Sequence, residues 1–141
     1  MGLLARLLAA VGVGVQRSVG SRGEDAAVAF LKRAGYVVLD RNVRVPMGEA
    51  DIVARQGGAE DGVIVLVEVK TRVVDPARPK PKAESQVGAF KRRKLLAIQQ
   101  HLVRANGWEK RRKRIDIVAV EFVKGGEGEP AVRHFVNAVT R

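Results

Sequence analysis

Apolar positions recur along this chain with two different periods, and the changes of period divide it into elements. Ala26, Ala27, Phe30, Leu31 and Ala34 follow one another at helical spacing until Gly35 supplies a stop. The preceding Ser21-Arg22-Gly23-Glu24 has the spacing of a capping box, so a helix is expected over residues 22 to 34. Tyr36 to Val45 is rich in valine and runs into Pro46-Met47-Gly48, the pattern of a strand ending in a turn. Glu49 to Arg55 then alternates with period two, as a hairpin partner would. After the glycines between Gly57 and Gly62, Val63 to Val69 is almost wholly apolar, which suits a central strand buried on both faces.

Residues 72 to 85 hold three prolines and several charges with little periodicity, and read as a long exposed loop facing a substrate. From Gln86 to Ala105 the apolar positions Val87, Phe90, Leu95, Ile98 and Leu102 fall on one broad helical face, which Asn106-Gly107 would close. Ile115 to Val123 is a second β-branched run, residues 124 to 130 form a Gly-rich turn, and Val132 to Val136 would be the last strand. The order helix, three strands, helix, two strands predicts an α/β sandwich, a mixed sheet flanked by helices.

Composition narrows what such a domain does. At 141 residues the chain suits one domain, here residues 20 to 141, preceded by a flexible extension at 1 to 19. There is no cysteine, which removes disulfides, thiolate metal sites and cysteine nucleophiles, so a metal would have to be held by oxygen. Against 15 acidic residues stand 26 Lys and Arg, a net charge of +11, which calls for a polyanionic partner. Nucleic acid is the first choice and an anionic membrane the second. No apolar run is long enough to span a bilayer, and Arg6 interrupts the Leu- and Ala-rich start, so no stable membrane insertion and a cytoplasmic location are expected.

The candidate chemistry lies in the strands. Glu68 and Lys70 are two apart in the most apolar strand and share a face. An acid-x-Lys triplet arises by chance about once in a chain this long, and a plain ion pair would account for it. Glu49 and Asp51 are also two apart, on the neighbouring hairpin arm, and pairing would bring these acids toward Glu68, unless they face solvent on an edge strand. Converging carboxylates repel one another unless a cation such as Mg²⁺ or Mn²⁺ lies between them. Asp51 and Glu68 are the first-choice ligands with Glu49 as a further one, and Lys70 would orient water or stabilise phosphoryl charge, as in phosphodiester hydrolysis.

The strings Gly48-Glu49-Ala50-Asp51 and Val67-Glu68-Val69-Lys70-Thr71-Arg72 resemble the paired core motifs of the YraN family of bacterial proteins. The resemblance extends to Gly23-Glu24-Asp25-Ala26-Ala27, Lys91-Arg92-Arg93-Lys94-Leu95 and His134-Phe135-Val136-Asn137-Ala138, and so covers about residues 20 to 138. That family is similar in turn to archaeal Holliday junction resolvases and restriction endonucleases. The resemblance implies a restriction-endonuclease-like PD-(D/E)xK fold, Mg²⁺ dependence and a nucleic-acid substrate, most naturally DNA. It matches Asp51 and Glu68 to the acidic ligands, Lys70 to the lysine, and Glu24 to a helix glutamate of the resolvase centre. The capping box offers Glu24 a purely structural role instead, and the literal Pro-Asp pair of the motif name is absent.

Lys91, Arg92, Arg93 and Lys94 are the expected nucleic-acid contacts, together with Arg72, and Lys91 or Lys94 should reach over the sheet toward the acids. A second basic run, Lys110 to Arg114, adds to the same reading. Trp108 is expected to pack the helix end, His134 to lie on a strand surface, and neither His101 nor His134 to bind metal. The leading expectation is a DNA endonuclease, with a homodimer suggested by analogy with resolvases. The alternatives are a non-catalytic nucleic-acid clamp on the same fold and a peripheral membrane protein anchored by residues 1 to 15.

Overall fold

The first helix starts earlier than its capping box predicts. In the computed structural model, which describes residues 18–79, 87–126 and 128–141, α1 runs Val19–Arg33. Its cap is Ser18, in extended conformation, whose Oγ accepts the Ser21 amide hydrogen at 3.1 Å. Ser21 therefore lies within the first turn, and Glu24 has no capping role to fill. At the other end Gly35, at φ +89°, lets the chain leave the helix, and the Tyr36 amide donates back to Leu31.

Five strands follow: β1 (Val37–Val45), β2 (Gly48–Gln56), β3 (Val63–Val74), β4 (Lys113–Val123) and β5 (Ala131–Val139), with α2 (Ala89–Asn106) between β3 and β4. They form one sheet in the order β1-β2-β3-β4-β5. Only the β3–β4 pair is parallel, because α2 carries the chain back across the sheet between them. The result is the expected mixed sheet with a helix on each face. The core divides accordingly: Ala27, Val28 and Leu31 of α1 pack with Ile52, Ala54, Val65, Val67, Val118 and Val120 on one face. Leu95, Ile98 and Leu102 of α2 pack with Ala50, Ile64, Leu66 and Ile115 on the other. Strand β3 supplies both cores in alternation, as its apolar run predicts.

Two expected boundaries move. Strand β3 continues through Arg72 to Val74 because β4 pairs with it all the way to Val74↔Val123, so the exposed loop begins after that point. Its first residues turn at Asp75, whose Oδ1 accepts the Ala77 amide and whose carbonyl accepts that of Arg78. The remainder of the expected flap, residues 80 to 85, lies outside the described residues, as do the N-terminal residues 1 to 17. The second correction is Phe90, which has the spacing of the α2 core and is 75% exposed; the buried face of α2 is formed by Leu95, Ile98, Leu102 and Val103. At the far end Gly107 adopts the left-handed conformation, φ 68°, and Trp108 packs against the α2-side core as expected.

Candidate functional site

Strands β2 and β3 are paired from Gln56↔Val63 to Ile52↔Val67, and there the ladder ends. Beyond it β2 continues alongside β1 alone and β3 alongside β4 alone, so the sheet opens into a fork. Asp51 and Glu68 are the next residues on the two arms. The Asp51 carboxylate bridges the opening by accepting the Val69 amide hydrogen at Oδ2, 2.8 Å away. A side chain thus replaces a lost ladder bond and fixes Asp51 beside Glu68.

The backbone of β2 changes phase at the same place. Ala50 belongs to the α2-side core and Ile52 to the α1-side core, so strict alternation fails at Asp51. Opposite Asp51 in the β1 register, between the pairs Arg41↔Ile52 and Val43↔Ala50, Asn42 takes φ 52°. Asparagine tolerates that left-handed conformation better than most residues. With its amide nitrogen turned toward the acids, Asn42 donates to Glu24 Oε1 at 2.9 Å and to Glu49 Oε1 at 3.0 Å. Glu24 and Glu49 thus meet at Asn42, whereas Asp51 meets Glu68. The expectation that Glu49 and Asp51 share a face through period two fails here, and Glu49 is exposed.

Electrostatics distinguish these acids. Burial and the charge of Glu68 push the Asp51 carboxyl up to about 7, against the lowering effect of the Val69 amide, and Glu24 adds to the rise. Glu24 is raised as well, by burial first and by the nearby Glu49, Asp25 and Glu68, with Arg41 offsetting part of it. Glu68 Oε1 pairs with the Lys91 ammonium at 2.7 Å, so α2 does extend a cation over the acids. Lys70 is two residues beyond Glu68 on the α2 side, half-buried and engaged in contacts of its own.

Among the described residues no group of three or more His, Asp or Glu side chains is arranged to hold a metal ion. Two carboxylates nevertheless suit Mg²⁺, which keeps several waters and takes its remaining ligands from substrate phosphates. Among the described residues Lys91 serves Glu68 alone, and the Asp51 carboxyl, raised by burial and by Glu68, has no cation of its own. The residues therefore fit a hard divalent cation.

The other expected contacts separate into two groups. Lys94 lays its stem over Gly48, where an added Cβ would come within 2.7 Å of its Cε, Arg92 donates to the Thr140 carbonyl at 2.6 Å, and Arg93 is exposed. Arg72 forks onto Glu121 Oε2 at 2.8 and 3.0 Å, and Arg133 pairs with the other oxygen of Glu121. Burial would raise the Glu121 carboxyl, but the two arginines outweigh it and hold it below its ordinary value. In the Lys110 to Arg114 run, Arg111 and Arg112 brace the β2–β3 turn through the carbonyls of Gly62 and Asp61. Arg114 is committed to Asp116, Tyr36 and Gln56.

Asp116 escapes sequence reading because, apart from Arg114 two residues back on β4, its partners lie on β5. It is fully buried under α1 and accepts from Arg114, from the Asn137 amide and, at 2.8 Å, contacts His134 Nε2. His134 is therefore not a plain surface residue: its ring is mostly buried and meets Phe30 and Tyr36 edge-on. Asn42 was missed too, although an asparagine inside a valine-rich strand is a local signal for a break.

Comparison with known proteins accounts for the motif resemblance. A solved complex, EndoMS with dsDNA2, aligns at a TM-score of 0.41 and 21% identity over 73% of this chain and 38% of that one, a likeness too slight to carry function across. Sequence relatives are much nearer. UPF0102 proteins of Syntrophotalea carbinolica and Symbiobacterium thermophilum are each 38% identical to it. The alignments cover 86% and 88% of this chain, and 90% and 98% of the relatives. The model of the "Uncharacterised protein family UPF0102" matches residues 23–120, a span that takes in α1, the fork and most of β4. The chain belongs to the UPF0102 family, the YraN family that its motifs resemble.

Proposed function

We propose that the chain is a metal-dependent endonuclease that hydrolyses phosphodiester bonds in DNA at the fork between β2 and β3. The observation that carries this reading is the contact of Asp51 with Glu68 at a half-buried opening in the sheet, with the Asp51 carboxyl pushed up to about 7. Among the described residues Glu68 has the Lys91 ammonium as its partner, whereas Asp51 faces Glu68 with only the Val69 amide to offset its charge, so the pair shares a single cation. Asp51 and Glu68 would hold Mg²⁺ or Mn²⁺. That ion, when bound, supplies a water of lowered pKa and neutralises charge on the scissile phosphate.

The remaining roles belong to the chain itself. Asp51 is oriented by the Val69 amide and cannot swing from the opening without leaving that donor unpaired. Lys70, two residues beyond Glu68 on β3, would stabilise charge developing on phosphoryl oxygens. Lys91 neutralises Glu68 in the free protein and becomes a phosphate contact when nucleic acid enters. Arg93 and the net charge of +11 attract the polyanion from a distance. Glu24, free of any capping duty, joins the acids through Asn42.

The Lys91–Glu68 pair also supports a second reading, a non-catalytic DNA clamp in which lysine permanently takes the place of metal. Titration calorimetry with Mg²⁺ and Mn²⁺ on wild type and Asp51→Ala, beside cleavage assays on single-stranded, duplex and four-way-junction DNA, separates the two. Metal binding and cleavage by wild type alone uphold the endonuclease. DNA binding without metal binding leaves the clamp. Among the described residues no helix is long and apolar enough to cross a membrane. The anchor considered for residues 1 to 15 lies outside the described residues.

A further inference from the structure

Phe90, at 75%, is the most exposed of the large apolar side chains among the described residues. A single exposed apolar residue is ordinary in itself, but the surroundings of this one are not. It stands in the first turn of α2, next to Lys91, whose ammonium contacts Glu68, and Arg92, Arg93 and Lys94 follow directly. That turn has no acidic residue, and its cap, Gly88, offers no side-chain acceptor. Four cations in succession therefore oppose the positive pole of the helix. Phe90 and Lys94 are four apart and share a helical face, and the Lys94 stem rests on Gly48 at the start of β2. The ring is thus carried on the helical turn whose Lys91 reaches Glu68.

Glu68 engages Lys91 and the Thr140 carbonyl engages Arg92, which leaves an excess of positive charge beside a hydrated aromatic ring, and one ligand suits both: a nucleotide that brings a phosphate to the cations and an unstacked base to the ring. A fully paired duplex brings only the phosphate. We infer that Phe90 is a stacking platform for an unpaired base, so that the fork selects nucleic acid with splayed or single-stranded nucleotides beside the scissile phosphate. This rests on the endonuclease reading and narrows its substrate class.

The test uses the full chain with Ca²⁺ in place of Mg²⁺ to hold off cleavage. Wild type, Phe90→Ala and Phe90→Trp are titrated with a paired duplex and with the same duplex carrying a bulge that contains a fluorescent adenine analogue. Wild type should prefer the bulged DNA and quench the analogue, and Phe90→Ala should bind the bulged DNA about tenfold more weakly with no change on the paired duplex. Phe90→Trp should retain both preference and quenching. Since the ring is exposed, the variants should unfold at the same temperature as wild type, which excludes a stability effect. Equal binding of both DNAs by wild type, or equal loss on both in Phe90→Ala, overturns the inference while leaving the endonuclease reading intact. A wild-type dimer that Phe90→Ala converts to monomers in sedimentation overturns it also, because the ring would then be buried between copies. No binding to either DNA by wild type ends both readings together.

Discussion

Two carboxylates on the same sheet, Asp116 under α1 and Asp51 at the fork, are treated in opposite ways. Asp116 is fully buried, yet Arg114, the Asn137 amide and His134 surround it with donors and charge. Asp51 is less buried, receives one backbone amide, and has another carboxylate as its neighbour. Burial alone therefore does not mark a functional acid in this protein. What separates the two is whether the fold supplies the compensating charge or leaves it to be supplied from outside. Asp116 is satisfied from within, whereas Asp51 is left in the state that the proposed metal ion would complete.

The largest effect should come from breaking the satisfied side. Asp116→Ala leaves the half-buried Arg114 without its charge partner and the Asn137 amide without its acceptor, and should cost about 3–5 kcal/mol in urea unfolding, enough to threaten folding outright. At the fork, Asp51→Ala or Glu68→Ala should lower cleavage at least about 100-fold in single-turnover assays, with DNA binding unchanged or tighter. If both activities disappear while the fold is retained, Asp51 is not acting through a cation. Gly23→Ala tests how α1 is seated against β3, because the added Cβ would lie 1.9 Å from Thr71 Oγ1. The expected loss is about 1–3 kcal/mol in thermal unfolding, relieved in part by Thr71→Ala, whose remaining Cβ would still lie 2.8 Å away, with Glu24 drawn away from the other acids.

A smaller effect follows from the Asp51 carboxyl, raised to about 7 from 3.8. The folded chain holds this proton where the unfolded chain has lost it, so the ionisation penalty is absent below about pH 4 and complete above about pH 7. In chelator, wild type should lose about 1–2 kcal/mol relative to Asp51→Asn between about pH 5 and pH 8, after allowance for solvent screening. Mg²⁺ should restore the lost wild-type stability at the higher pH, and a pH-independent difference would mean that Asp51 titrates normally. The smallest change is expected for Lys91→Met, which removes the internal cation from Glu68. Calorimetry should show Mg²⁺ binding tightened a few-fold, with DNA affinity falling by a similar factor. Unchanged metal affinity would show that Lys91 and the ion do not compete.

The sequence by itself determined the elements and the motif pair. The period of the apolar positions placed both helices and all five strands within a few residues, and the unbroken apolar run of Val63–Val67 marked the strand shared by both cores. Period two was sufficient to put Glu68 and Lys70 on one face, because β3 is regular there. Helical spacing likewise brought Lys91 over the acids. Those are short-range consequences of backbone geometry, and they can be read from a string of residues.

Only the tertiary structure decided how the acids are grouped. The left-handed Asn42 and the end of the β2–β3 ladder break alternation at Asp51, so Asp51 turns to Glu68 while Glu49 stays with Glu24. The cap moved from Ser21 to Ser18, which released Glu24, and the Lys110 to Arg114 run became braces and a buried partner for Asp116. Phe90 has the spacing of a core residue but is exposed. The grouping of the acids was set by contacts between residues far apart in the chain, and local periodicity carries no information about where a ladder ends or which distant donor a carboxylate will meet.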